Sequence, residues 1–182
     1  MTDKRIHYRR YEDRRMAMML AIHEILFEIP PGPKRDRAVL DAVVFNYRVD
    51  RAAFVDLGRY LEEGYCDLSI RVGDWPSETD SIVGRGEGFA RLMALHEVVD
   101  SALTFESVRK PDAFALEWKS LWEEGIGAPA LALLSIPLRP LKAPHRLMWL
   151  LQVSSSREWS SRDRDLAEEV VSLLARAADK GV

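Results

Sequence analysis

Apolar side chains recur at helical spacing in the first part of the chain. From Tyr8 to Ile29 they return at intervals of three, four and seven residues, which is the spacing of an amphipathic helix. Further apolar residues lie around this helix, as is typical of a helix with more than one neighbour. The segment Pro30–Pro33 ends the pattern. We therefore divide the chain into an N-terminal helix with a proline-rich turn, residues 1–33, and a domain that covers residues 34–182.

Two further helices are predicted from similar signals. One begins near Lys34, with Pro33 in its first turn, where proline is well tolerated. The other closes the chain, because Ser160 and Asp163 fit a capping box and Gly181 lies just beyond the last apolar position. The apolar positions of this closing helix repeat along one face at Leu166, Val170, Leu173 and Ala177.

Two segments in the first half of the chain predict a hairpin of strands. Arg51–Leu57 is the first. The second, Tyr65–Val72, alternates between apolar and polar residues, which is the period of a half-exposed strand. Its apolar residues are predicted to share one face: Cys66, Leu68, Ile70 and Val72.

Two nearly continuous apolar segments predict the centre of the sheet. They are Leu131–Leu138, interrupted by Ser135, and Leu147–Val153. A strand that is apolar on both sides is covered on both faces. We therefore expect both strands to have neighbours within the sheet and to be covered above and below.

The middle of the chain is irregular. Gly73–Gly88 is predicted to be mainly loop, Phe89–Leu95 a short helix, and Phe114–Glu124 another helix, with an extended piece expected at Val98 and Val99. The whole order predicts an α+β fold with a central antiparallel sheet. The terminal helices are expected on one face, and the loop and short helices on the other, where a concave ligand pocket can form.

Composition narrows the class of protein. The chain has 182 residues and a net charge of −3, which gives no whole-chain reason to expect a nucleic-acid partner. Its single cysteine excludes an internal disulfide and fits a reducing compartment, so we expect a cytoplasmic protein. No apolar segment approaches the ~18–20 residues that cross a membrane, and we expect no membrane partner.

The residues that suggest catalysis or metal binding lack the partners that such chemistry needs. Gly84, Gly86 and Gly88 are not followed by the Gly-Lys-Ser/Thr ending of a phosphate loop. Cys66 lies on the apolar face of its strand, where a small core residue is the expected role. The four histidines show no metal-ligand spacing. We predict no catalytic residue and no metal site, and the sequence leaves any cofactor unknown.

Three stretches resemble the GAF domain family. The first stretch, Gly84–Ala90 running to Val99, is similar to the family's glycine-containing loop with short helix and edge strand. The second, Glu124–Pro129 leading into Ser135–Leu138, is similar to its glycine-containing turn before a strand that ends in proline-leucine. The third, Trp149–Ser155 with Trp159 and Asp163–Ala175, is similar to its last strand and closing helix. The resemblance covers roughly residues 34–178. It implies a small-molecule-binding or dimerising module of signalling proteins, without catalytic activity.

We predict a ligand site on the side of the sheet that carries the short helices. Trp118 and Trp122 are four residues apart on one helix and share a face, and aromatic walls can hold a planar ligand while an arginine meets a carboxylate or phosphate. The alternative is that the tryptophans fill the pocket, leaving a protein-interaction scaffold. The predicted ligand-binding residues are Arg71, Trp75, Phe89, Met93, His96, Trp118 and Trp122.

The terminal helices are the expected contact of a homodimer. An approximate heptad seam with a polar break at Arg15 runs along the first helix, and its members are Tyr8, Tyr11, Arg15, Met18, Ile22 and Ile25. Docking of this seam on the chain's own sheet is the alternative, and both can be true, since the helix has two apolar faces. The basic residues ahead of the seam are interrupted by acids and are interpreted as a solvated helix start rather than a nucleic-acid contact.

Overall fold

A computed structural model describes residues 3–58, 60, 64, 66–75, 82–83, 87–106, 131–155 and 157–181. Its helices are α1 (Asp3–Glu28), α2 (Pro33–Tyr47), α3 (Glu87–Val98) and α4 (Ser161–Lys180). Its strands are β1 (Arg51–Asp56), β2 (Cys66–Gly73), β3 (Ile82–Val83), β4 (Leu103–Glu106), β5 (Ala132–Leu138) and β6 (Arg146–Gln152). The α+β class predicted from the sequence is confirmed.

The strands form one antiparallel sheet in the order β3–β2–β1–β6–β5–β4. The two segments predicted as central are β5 and β6, and each pairs with a strand on both sides. The strands β1 and β6 lie in the middle of the sheet and pair along the full length of β1. This places residues from distant parts of the sequence side by side.

One face of the sheet is covered by α1, α2 and α4. Phe54 of β1 and Met148 of β6 belong to the same buried cluster as Val43 of α2 and Val170 of α4. The capping box predicted at the start of α4 is present, with the Ser160 side chain accepting a hydrogen bond from the Asp163 amide. Burial of these apolar faces, rather than helix propensity, holds the three helices in place.

Residues of the predicted heptad seam of α1 make contacts within the chain. Met18 and Ile22 are completely buried in the helix-side core. Arg15, the polar break, binds Glu169 of α4 through both carboxylate oxygens, at 2.7 and 2.6 Å. Intramolecular docking, one of the two alternatives for this seam, is therefore what the structure shows for these three residues.

The alternation in β2 is interrupted, so its predicted apolar face is wrong in part. Phe54 pairs with Ile70 and Asp56 with Asp67, which leaves one extra residue in β2. Such a bulge turns the following side chains to the other face. Cys66 and Leu68 consequently pack on the face of the sheet opposite to α1, α2 and α4. Val72 packs on the face that these three helices cover.

The other face of the sheet is covered by α3. The helix predicted at Phe89–Leu95 is longer than expected, and Val98, predicted as extended, is its last residue. The strand that follows is β4, at the edge of the sheet. The predicted helix at Phe114–Glu124 lies outside the described residues. Among the helices that the structure describes, none is long and apolar enough to cross a membrane.

Candidate ligand-binding site

A row of side chains crosses the α3 face of the sheet. In the antiparallel register Arg71 pairs with Ala53, Ala53 with Trp149, and Trp149 with Ser135. Paired residues point to the same face of a sheet, so Arg71 and Ser135 share the face that α3 covers. With strands about 4.8 Å apart, Arg71 on β2 lies three strand spacings, or about 14 Å, from Ser135 on β5.

The middle of this face is filled by apolar side chains. Phe89 of α3 is completely buried and meets Trp149 edge-on, with ring centroids 6.1 Å apart. Tyr60 contacts Phe89 as well, with ring centroids 5.3 Å apart. Met93, one turn further along α3, is 9% exposed. Phe89 and Met93, both predicted ligand contacts, therefore pack against the sheet.

A buried hydrogen-bond network connects α3 to β5 and β6. Trp149 Nε1 donates to Ser135 Oγ at 3.0 Å, and the same oxygen lies 2.9 Å from His96 Nε2. An indole nitrogen can only donate. The hydroxyl accepts that bond and can donate its own hydrogen to His96 Nε2, which leaves the imidazole proton on Nδ1.

The surroundings of His96 keep it neutral. Burial and the positive charge of Arg139 lower its pKa to about 4, against smaller opposing effects of the Val99 backbone and Asp100. Arg139 also donates to the backbone carbonyl of His96 and pairs with Asp100 at 3.1 Å. A neutral, fully buried imidazole that already holds a hydroxyl is part of the packing of α3, and it can shape a pocket wall.

A second polar group lies where β1 begins and β2 ends. Arg51 and Arg71 occupy diagonal positions on the α3 face, since Arg51 pairs with Gly73 and Arg71 with Ala53. The guanidinium of Arg51 lies over the ring of Trp75, 5.6 Å from its centroid. Trp75 Nε1 donates to the carbonyl of Val72 at 2.9 Å, which fixes the indole.

Arg51 is nearly buried, and its hydrogen-bonding groups are only partly satisfied within the described residues. It is 8% exposed, and its Nε donates to the carbonyl of Asp74. Its Nη1 atom is buried and has no hydrogen-bond partner within the described residues. Burial lowers the pKa of the guanidinium, while Asp74 and Asp50 oppose that shift. We name Arg51, Arg71 and Trp75 the β1–β2 corner.

The structure divides the predicted ligand residues into two groups. Arg71 and Trp75 lie at the β1–β2 corner, and Phe89, Met93 and His96 lie under α3. The remaining two, Trp118 and Trp122, lie outside the described part of the chain, as does the glycine loop at residues 84–86. The list of seven residues stays a prediction.

Sequence reasoning missed two residues of this face. Ser135 is the polar centre of the network, and its signal was present as the one interruption of an apolar segment. Arg51 is the first residue of its strand, where a charged residue is unremarkable, so the sequence offered no signal that it would be buried.

Cys66 takes no part in either group as a reactive thiol. It is completely buried on the α3 face. Burial, followed by the negative charge of Asp56, raises its pKa to about 12. Because the thiolate is the nucleophilic form, this confirms the interpretation of Cys66 as a small core residue.

Comparison with known proteins identifies the architecture. No family model and no curated protein matches the sequence. Among solved structures, the phycocyanobilin-bound GAF domain of a cyanobacterial phytochrome matches with a TM-score of 0.67 at 12% identity, covering 92% of this chain and 94% of its own. The GAF domain of PixJ from Thermosynechococcus elongatus matches with a TM-score of 0.61 at 13% identity, covering 84% and 90%.

A third neighbour comes from a different kind of protein. The GAF domain of a phosphoenolpyruvate-protein phosphotransferase from Acinetobacter matches with a TM-score of 0.62 at 12% identity, over 88% of this chain and 89% of that domain. These identities are too low to transfer a ligand or an activity. The TM-scores above 0.6 and the near-complete mutual coverage show that this chain has the fold of a GAF domain.

Proposed function

We propose that this chain is a small-molecule-binding sensory module of the GAF type, cytoplasmic and dimeric, that works by binding rather than catalysis. The observation that carries the proposal is the β1–β2 corner. There a nearly buried guanidinium with an unpartnered nitrogen lies against an indole ring whose position is fixed by its own hydrogen bond. The ligand is expected to carry an anionic group and a flat apolar part.

The chemistry of the corner supports this class of ligand. A buried charge without a full set of partners is costly, and a carboxylate or phosphate oxygen at Arg51 Nη1 would supply a charge-assisted hydrogen bond. The half-buried Arg71 is placed on the same face. The Trp75 ring offers a surface for stacking.

The sheet offers a route from the ligand to the terminal helices. In β1, Ala53 packs on the face that α3 covers, whereas Ala52 and Phe54 pack on the face that α1, α2 and α4 cover. In β6, Trp149 and Met148 divide in the same way. A shift of either strand would therefore be transmitted to α1, α2 and α4, because packed interiors transmit strain.

The surface of α1 supports pairing of two copies. Met16, Leu20 and Phe27 are 58%, 56% and 92% exposed, and their spacing of four and seven residues places them on one stripe of the helix. Met18 and Ile22, by contrast, are buried within the chain. We propose the outward stripe, instead of the seam predicted from the sequence, as the dimer contact.

A scaffold without a ligand is the second candidate. It is favoured by the packing under α3, where Phe89 and Trp149 are fully buried and His96 is 1% exposed. In that case the ligand site on the α3 face is filled by the protein's own side chains, and only the exposed surface of α1 is functional. The two candidates make opposite predictions for the β1–β2 corner.

Thermal shift measurements with a library of anionic and neutral metabolites distinguish them. The sensory module is expected to be stabilised by planar anions, and Arg51→Met or Trp75→Leu should abolish the shift. The matched control is Arg164→Met, which removes an exposed arginine on α4. If no compound stabilises the wild type, or if the shifts survive both corner variants, the proposed ligand site is wrong and the scaffold is favoured.

A further inference from the structure

A cavity of about 360 Å³ lies on the opposite side of the sheet from the proposed ligand site. It is a partly open pocket that lies where the end of α1 and the start of α2 meet the end of α4 and the connection between β5 and β6. Its apolar wall includes Leu26, Val39, Phe54, Ile70, Leu138 and Leu174. These side chains come from both helices and strands, so the floor of the pocket is formed by the core, while its rim is open to solvent.

One charged side chain in this wall has a nitrogen without a partner. Arg35 of α2 lines the cavity and is 7% exposed. Its Nη1 atom is buried and has no hydrogen-bond partner, and no ion pair involving Arg35 is found within the described residues. A buried cation in this situation costs free energy until an anion reaches it.

The other charges of the wall neutralise each other. Arg146 Nη1 lies 2.6 Å from Asp36 Oδ2, and both residues line the cavity. The guanidinium of Arg146 also lies over the ring of Phe54, at 5.8 Å. Arg35, Asp36 and Arg146 are the charged residues among those that line the cavity, so the balance is one positive charge, located at Arg35.

The start of α2 adds to the positive potential. Gly32 is the N-cap of the helix and supplies no side-chain cap, and Pro33 at the first position has no amide hydrogen. Gly32 and Pro33 both line the cavity. The first amides of a helix lack partners within it and favour an anion.

The volume limits the size of an occupant. An apolar cavity of about 150 Å³ accommodates benzene, so the space here suits roughly a dozen non-hydrogen atoms. It also lies within the usual range of small-molecule sites, about 300–1,000 Å³. An apolar wall with one buried cation excludes sugars, nucleotides and multiply charged anions, which would leave polar groups without partners.

We infer that this cavity binds a monocarboxylate with an apolar body of about ten carbons, such as a medium-chain fatty acid. The carboxylate is held by Arg35 and the first amides of α2. The apolar body lies between Val39 of α2, Phe54 of β1 and Leu174 of α4. This is a second site, separated by the sheet from the β1–β2 corner, and it does not depend on the function proposed for that corner.

Isothermal titration calorimetry with sodium decanoate tests the inference on the full chain after removal of bound lipid. Decanoate is expected to bind at one molecule per chain. Acetate, which has the head group alone, and decyltrimethylammonium, which has the tail with the opposite charge, are expected to bind at least tenfold more weakly. Equal binding of the cationic amphiphile would overturn the inference, because it would reduce the site to an apolar surface.

Variants locate the site. Arg35→Met keeps most of the length of the side chain and removes the charge, and it should weaken decanoate binding by about 10- to 100-fold, as expected for a charge-assisted hydrogen bond. Arg37→Met changes an exposed arginine on the same helix and should bind like the wild type. Ala178→Phe places a ring in the cavity wall and leaves Arg35 unchanged, and it should also block binding.

The outcomes separate this site from the proposed ligand site. Arg51→Met should leave decanoate binding unchanged. If instead Arg51→Met loses decanoate binding and Arg35→Met binds normally, decanoate occupies the β1–β2 corner and the inference is overturned. If Arg35→Met does not fold, Ala178→Phe and the head-group comparison decide. No binding to the wild type, or binding that is equal in Arg35→Met, would contradict the site.

Discussion

His96 Nε2 lies 2.9 Å from Ser135 Oγ in the interior of the protein. The two residues are 39 positions apart in the sequence and connect the last turns of α3 to the middle of β5. Because Trp149 donates to the same oxygen, one hydroxyl bridges two buried rings, while His96 Nδ1 has no hydrogen-bond partner within the described residues. The relationship resembles a nucleophile with its base, but the hydroxyl is completely buried and already holds the indole. It stabilises the position of α3.

Removal of this hydroxyl should destabilise the fold. Ser135→Ala leaves the Trp149 N–H and His96 Nε2 without partners, and buried unsatisfied groups cost about 1–3 kcal/mol each. We expect a loss of about 2–4 kcal/mol in the free energy of unfolding, measured by urea denaturation. Ser172→Ala, at an exposed serine of α4, is the control and should change stability by less than about 0.5 kcal/mol. A similarly small change in Ser135→Ala would show that the network is not structural.

His96 makes stability depend on pH. Its pKa is lowered to about 4 in the folded state, against about 6.5 in the unfolded chain. Between these values the unfolded chain binds a proton that the folded one excludes, so stability falls as pH decreases from about 6.5 to 4 and the loss then levels off. The histidine contributes a loss of about 2–3 kcal/mol at pH 4.5.

The His96→Gln variant isolates this contribution. The difference between its unfolding free energies at about pH 7.5 and about pH 4.5 should be smaller than that of the wild type by about 2–3 kcal/mol. The exposed His23 provides the matched control, since His23→Gln should keep the wild-type pH dependence. Parallel curves for His96→Gln and the wild type would contradict the burial of a neutral imidazole.

Gly73 closes β2 next to the β1–β2 corner and should tolerate no side chain. Its φ is +100°, and a Cβ there would overlap the carbonyl oxygen of Asp50. Gly181 also has a positive φ, +73°, but a methyl group on its Cα would have no neighbouring atom within 4 Å. Gly73→Ala should therefore cost clearly more than Gly181→Ala, which carries only the strain of about 1 kcal/mol. Equal melting temperatures for the two variants would contradict the close approach of β2 to Asp50.

Much of the fold follows from the sequence because apolar periodicity records burial directly. The two nearly continuous apolar segments predicted as strands are β5 and β6. The capping box at Ser160 and Asp163 correctly predicted the start of α4. The face assignment of Ile70 and Val72 failed because a bulge depends on the register with β1, which the sequence of β2 alone does not specify.

The candidate sites were less predictable. A burial pattern of apolar residues says little about a charged residue, so the sequence gives no signal that Arg35 and Arg51 are buried. Their burial arises from tertiary packing, at the start of α2 for Arg35 and at the start of β1 for Arg51. His96 was singled out as a notable residue, but its partner Ser135 comes from a distant strand.

The outward stripe of α1 should control pairing of two copies. Leu20→Glu combined with Phe27→Glu places like charges on that stripe, and we expect a dimer to become a folded monomer. Light scattering coupled to size-exclusion chromatography measures the mass. Leu141→Glu, at a residue that is 92% exposed between β5 and β6, should leave the dimer intact. A dimer that survives the double change would place the contact elsewhere.

Native mass spectrometry of the purified protein, with an absorption spectrum of the same sample, tests the proposal of a sensory module most directly. For the wild type we expect a 1:1 complex with a small anionic molecule, either carried from the cell or taken up from a metabolite library, and we expect Arg51→Met to lose it. A wild-type protein that has the bare mass and takes up no compound, or a complex that Arg51→Met retains, would contradict the proposal.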